Sequence, residues 1–167
     1  AIAPANVEAH VVRSQPHTTA GEDPHDVNAR LKTADALYSA GRYHEAEVEY
    51  KASLGVKPTP EAHVGLGKVA EKTQGAGQGK HHFEKALELD SNSHHAHREL
   101  GIAHLTKGDV VSANSALSRA VILNPNDKEA GKHLVNLWQN QLQKMPNANS
   151  HLGLARAYQL TGDLPNS

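Results

Sequence analysis

Thirteen of the 167 residues are histidine, and cysteine is absent. Imidazole ligates metals and titrates near neutrality, so these side chains are the first place to look for chemistry. His94, His95 and His97 stand together, and His81 and His82 are adjacent. The i, i+3 spacing of His94 and His97 puts both on one helix face, as a ligand pair would need. No His-Glu-x-x-His, no cysteine and no obvious carboxylate completes a site. The histidines therefore read as structural or surface groups, with no metal and no cofactor assigned. Gly75, Gly77 and Gly79 in TQGAGQG offer a second chemistry, a phosphate-cradling loop. Such a loop needs a following Lys-Ser/Thr pair and a preceding strand, and neither is present. The segment reads as a loose turn. No Gly-x-Ser-x-Gly occurs and no carboxylate pair is forced together, so no catalytic residue is assigned and the chain reads as a non-enzyme.

Composition narrows the classes further. Seventeen basic residues against eighteen acidic ones give a net charge of −1. That balance lacks the basic excess of nucleic-acid binding, so no nucleic-acid partner is expected. No apolar run approaches the ~18 residues of a membrane span. Aromatic residues are scarce, with one Trp and one Phe. A core must come from Ala, Leu and Val at close spacing, which suits stacked helices. Residues 1–26 differ from the rest. Pro4, Pro16 and Pro24 remove amide donors and oppose helix, while Val7, Ala9 and Val11 alternate with polar residues. This stretch reads as an extended or flexible arm.

Residues 94–127 organise the remainder. Their landmarks are His97-x2-Leu100-Gly101-x2-His104, Gly108, Ala113-x3-Leu117-x2-Ala120 and Pro125. Leu100, Gly101 and His104 share one stripe of a first helix, and Ala113, Leu117 and Ala120 a stripe of a second. Gly101 and Ala113 are small enough for the two backbones to approach closely. Gly108 is free to take positive φ between the helices, Asp109 is placed to cap the second, and Pro125 stops it. The same pattern begins near Val27, with Ala34, Leu37, Gly41, Ala46, Tyr50 and Pro58, and predicts helices over 27–40 and 43–56. It recurs with His63-x2-Leu66-Gly67-x2-Ala70 and Gly79-x3-Phe83-x2-Ala86. After Pro125 the period breaks. Leu134, Leu137, Trp138 and Leu142 predict a single unpaired helix over 127–144, with Asn126 and Glu129 as a capping box. His151-x2-Leu154-Ala155-x2-Tyr158 then resumes the signature as a half repeat over 148–163, leaving 164–167 as a tail.

These spacings resemble the tetratricopeptide repeat, W-x2-L-G-x2-Y…A-x3-F…P, over about 27–163. The resemblance implies an all-α solenoid of antiparallel helix pairs, with repeats at 27–59, 60–93 and 94–127, wound as a right-handed superhelix. It also implies a concave groove that binds a peptide or partner protein, and no catalysis. By the family's groove positions, the first repeat contributes Asn28, Leu31, Asp35, Tyr38 and Ser39. The second contributes Glu61, Val64, Lys68, Glu71 and Lys72, and the third His95, Arg98, Ile102, Leu105 and Thr106. The clamp of the chaperone-tail-binding members does not carry over, since Leu31 and Asp35 stand at its slots. Lys68, Lys72 and Arg98 form a modest basic cluster that favours an acidic segment.

Two alternatives stand beside this scaffold. Leu152, Leu154, Tyr158 and Leu160 leave an apolar C-terminal edge, and the chain stops before a covering helix. Either the chain is a piece of a longer solenoid, or a second subunit's arm covers the edge in an end-to-tail assembly. The other alternative, by association with the family, is a pilus or secretion assembly factor of the bacterial periplasm. The chain opens on Ala1 as a processed chain does, so a periplasmic or extracellular location is slightly favoured over a cytoplasmic one.

Overall fold

The structure is a computed structural model and describes residues 26–162. The expected N-terminal arm and the tail lie outside them, apart from Asp26. Eight helices follow in order: α1 (Val27–Ser39), α2 (Tyr43–Val56), α3 (Pro60–Thr73), α4 (Lys80–Leu89), α5 (His94–Thr106), α6 (Val110–Leu123), α7 (Lys128–Lys144) and α8 (Ala148–Thr161). Their starts are written in short polar side chains. Asp26, Thr59, Ser93, Asp109, Asp127 and Asn147 each accept a hydrogen bond from a first-turn amide. Such a cap satisfies donors that have no partner inside the helix. Asp127, not Asn126, caps α7, because its carboxylate reaches the Ala130 amide at 3.1 Å. Gly108 turns between α5 and α6 at φ +74°, as expected.

The helices pack as antiparallel pairs, α1 with α2, α3 with α4, α5 with α6 and α7 with α8. Glycines set how close the members come. A Cβ on Gly101 would fall 2.6 Å from Leu117 Cγ, and one on Gly67 only 2.3 Å from the Phe83 ring. In both pairs the first helix supplies the gap and the second the bulky side chain. Between the first two pairs, Gly65 leaves the space that Tyr50 fills.

The single-helix expectation for 127–144 fails here. α7 has a partner, and it is α8. Leu134 and Trp138 stand 34 residues after Leu100 and His104, so α7 continues the phase of the first helices. Its partner presents Gly153 and Ala157 inward, and a Cβ on Gly153 would fall 2.3 Å from the Trp138 ring. Bulk and gap have exchanged sides. α8 thus takes the place of a second helix, and its Leu-Ala signature, which mimics a first helix, misleads. His151 is correspondingly exposed rather than packed.

The turn at 74–79 also differs from the loose turn expected. The two Glu71 oxygens accept from the Gly77 and Gly79 amides, both at 2.8 Å. The carboxylate occupies the amides that would otherwise be free to cradle a phosphate, so the turn is tied down and its anion site filled from within.

Among the described residues the core forms three clusters along the stack. The first joins Ala34, Ala46, Tyr50, Leu66 and Val69, and the second Val64, Ala86 and Ala96. The third gathers Leu117, Ala120, Val121, Ala130, Leu134 and Ala157. Full burial of a side chain such as Leu117 contributes roughly 1.5–3 kcal/mol. An ion pair between Arg30 and Glu49 at 3.0 Å, largely covered, ties α1 to α2. No described helix is long and apolar enough to cross a membrane.

Candidate functional site

α1 touches α3, α3 touches α5, and α5 touches α7. The first helices therefore share one face, and two clefts open on it. One, of about 330 Å³, is lined by Asp35, Tyr38, Glu61, Val64, Lys68 and His95 among others. The other, of about 350 Å³, is lined by Lys72, Glu71, Ile102, Glu99, Glu129 and His133 among others. Tyr38, Lys68 and Arg98 belong to both, so the clefts join into one track.

The track is polar, and most of its charges are already engaged. The Tyr50 hydroxyl donates to Asp35 Oδ1 at 2.6 Å, and burial together with that carboxylate pushes the phenol far up. Lys68 Nζ sits 4.6 Å above the Tyr38 ring centroid, a cation–π contact that aims the ammonium along the track. Burial raises the Tyr38 hydroxyl too, and nearby Glu99 adds to it.

Arg98 is the most tightly held group. It bonds Asp127 at 3.1 and 3.3 Å and Glu99 at 2.9 and 3.2 Å, and Glu129 lies at 3.4 Å. Burial alone lowers its proton affinity, but the carboxylates reverse that and hold it above the ordinary arginine value. Asp127 also accepts from the Ala130 amide and faces His94 Nδ1 at 3.2 Å. Burial pushes its carboxyl up, and the amide, Arg98 and His94 more than offset this, leaving it below the ordinary aspartate value.

His94, His95 and Asp127 bring three ligand atoms within 4.8 Å of one another. A metal there would have to share a carboxylate whose oxygens already hold a guanidinium. We read the cluster as an electrostatic joint between α5 and α7. His97 is drawn away from it, with Nε2 at 3.1 Å from the Ser91 carbonyl. The His95 imidazolium is disfavoured by burial first, then by His94 and Arg98.

Of the residues assigned from the sequence, Asp35, Tyr38, Val64, Lys68, Lys72, His95, Arg98 and Ile102 line the track. Leu31 and Leu105 pack against the core clusters instead. Asn28 lines neither cleft, and its amide bonds the Asp26 cap. Sequence reasoning missed Glu99, Glu129 and His133. The last two lie on α7, whose phase 34 residues after α5 was the available signal. At the C-terminal edge, Leu152 is half exposed, whereas Leu160 packs on the core and the Tyr158 hydroxyl accepts from Gln139 Nε2.

The tetratricopeptide repeat model matches residues 31–78 and 64–128, more than half of the chain. The chain belongs to the tetratricopeptide repeat family. Repeats of this family typically act as non-enzymatic scaffolds that bind proteins or peptides. No curated protein matches the sequence. Several solved tetratricopeptide structures share the fold. One is YrrB, described as a TPR protein with an unusual peptide-binding site: TM-score 0.60, 18% identity, covering 84% of this chain and 72% of that one. Another is the first TPR of Spaghetti (RPAP3) bound to an HSP90 peptide: TM-score 0.61, 18% identity, 73% and 98% covered. A third is pilF of Pseudomonas aeruginosa: TM-score 0.67, 19% identity, 86% and 65% covered.

Proposed function

We propose that the chain is a non-enzymatic scaffold that holds a peptide or partner protein along the track of α1, α3, α5 and α7. The observation that carries this reading is the joining of two clefts across Tyr38, Lys68 and Arg98 into one continuous surface. YrrB and RPAP3, as described above, share the fold and bind peptides, which supports a peptide-binding use of this architecture. The likeness to pilF, at 19% identity, reaches only the fold.

The chemistry of the track refines the partner. Arg98 is spent on carboxylates of its own chain. Lys68 and Lys72, one turn apart on α3, make no ion pair among the described residues and remain to meet an incoming group. We therefore place the acidic part of a bound segment against α3, not α5. A partner captured on the immobilised chain should lose roughly tenfold in affinity or more with Lys68→Glu and Lys72→Glu together, about 1.4 kcal/mol. Binding to the parent should weaken with salt, since these contacts are exposed and screened. Undiminished binding of the captured partner to the double variant would sink the assignment.

A further inference from the structure

Of the seven large apolar side chains exposed among the described residues, six lie on second helices, and Met145 follows the end of α7. The six are Val48 and Val56 on α2, Leu89 on α4, Val111 and Ile122 on α6, and Leu152 on α8, and α1, α3 and α5 carry none. The side formed by the second helices is the back, and the side formed by the first helices carries the groove.

This back surface deepens around α6. Between α6, α7 and α8 lies a cleft of about 450 Å³, with Leu134, Trp138 and Leu160 inside it and Leu152 at its rim. On the other flank of α6 a shallower depression exposes Val111, 80% accessible, and Ile122. Ser118 lines both, so a single surface wraps the helix. The indole is fixed within it. Trp138 Nε1 donates to Asn114 Oδ1 at 2.8 Å, and the ring lies against Gly153.

The two formal charges that line these clefts are both positive, Arg156 in the deep one and Arg119 in the shallow one, where His97 and His104 also stand. Among the described residues no carboxylate lines either, although Asp109 meets His104 from the side at 3.2 Å. The groove on the opposite side, by contrast, is lined by Glu61, Glu71, Glu99 and Glu129. An apolar furrow between α6, α7 and α8, with small residues Ser118, Gly153 and Ala157 in its walls, admits the side-chain ridges of an added helix.

We propose that the back of α6–α8 is a second docking surface, which takes an amphipathic helix with an aliphatic stripe and acidic flanks. Its aliphatic side chains enter beside Trp138 and Leu152, and its carboxylates meet Arg156 and Arg119. The chain then holds two partner segments on opposite sides, one extended along the groove and one helical on the back.

Trp138 is the only tryptophan in the chain, so its emission reports on this furrow directly. The probe is a Trp-free helical peptide of about four turns, with Leu at i, i+3, i+4 and i+7 and Glu on the flanks, beside its Lys-for-Glu twin. The Glu peptide should shift the emission to the blue, saturably and less so in salt. The twin should bind at least about tenfold more weakly, and Arg119→Glu with Arg156→Glu should invert that preference. Both arginines are exposed, so the fold should survive, as a melt would check; if the pair does not fold, Leu152→Asp should weaken the Glu peptide instead. Lys68→Glu with Lys72→Glu should leave this binding unchanged. Equal binding of the two peptides, no saturable shift, or a shift abolished by the α3 variants would overturn the proposal. A blue shift that follows protein concentration alone would give the furrow to a second copy of the chain and overturn it likewise.

Discussion

Gly101 decides how closely α5 and α6 approach. With a Cβ position 2.6 Å from Leu117 Cγ, any side chain there pushes against one that is fully buried. Gly101→Leu should cost about 1–3 kcal/mol in a urea titration, because an overpacked interface moves backbone rather than a side-chain tip. A variant as stable as the parent would mean that the two helices do not meet there. That contact was legible, since a Leu-Gly pair followed 16 residues later by Leu is the spacing of a helix hairpin closed on a small residue. The state of His63 and His82 was not. Their rings lie 5.8 Å apart, and each Nδ1 is buried without a hydrogen-bond partner. Burial first, then neighbouring histidines, lowers both below 6.5. Around them stand His81, Lys85 and Glu88 on α4 and Glu47 and Lys51 on α2, and the cations outweigh the anions in effect. Because the folded state disfavours the proton, its stability is intact above the unfolded value of about 6.5 and falls as pH drops below it. The melting temperature should therefore decline from pH 7.5 to 5.5, and His63→Gln with His82→Gln should reduce that decline. An equal decline in parent and double variant would clear these two residues of the effect.

At the scale of elements, caps and phase carried most of the information. Ser93 and Asp109 sit where the repeat pattern puts helix starts, and both cap. α7 and α8 were harder to read, because a packing pair can exchange which helix carries the bulk. Trp138 on the first helix against Gly153 on the second fills the same space as Gly101 against Leu117, yet it breaks the pattern that pairs them. The arginine in the groove was misread for a different reason. Its partner Asp127 is 29 residues away, and no local spacing announces a contact formed only when α7 stacks on α5. The turn after α3 is a third case, in which three glycines suggest looseness while Glu71, six and eight residues upstream of the amides it binds, removes it. Glu71→Ala should leave two amides without their acceptor and destabilise the chain by about 1–3 kcal/mol. Hydrogen exchange at Gly77 and Gly79 should rise by more than this global change explains. Exchange at the two glycines that only tracks global stability would show that the carboxylate does not hold the turn.

At the scale of the whole molecule, contacts among the described helices run between neighbours. Each helix touches the next in sequence, the first helices touch along the groove, and α6 touches α8. The core is correspondingly divided, with one cluster spanning α1 to α3 and another spanning α5 to α8. Stability in such a stack is a sum of pair and interface contributions, so it need not be lost everywhere at once. Leu117 tests this, because it is fully buried in the C-terminal cluster. Leu117→Ala should remove about 2–5 kcal/mol from the pairs that share it. Native-state hydrogen exchange should then show protection falling most in α5 to α8 and less in α1 and α2, whose cluster of Ala34, Ala46 and Tyr50 is untouched. That gradient would also let a partner on the groove and a helix on the back influence each other, since both surfaces rest on α7. Ordering α7 from one side would lower the cost of ordering it from the other. A uniform loss of protection from α1 to α8 would instead make the chain one cooperative unit, with no such gradient between its ends.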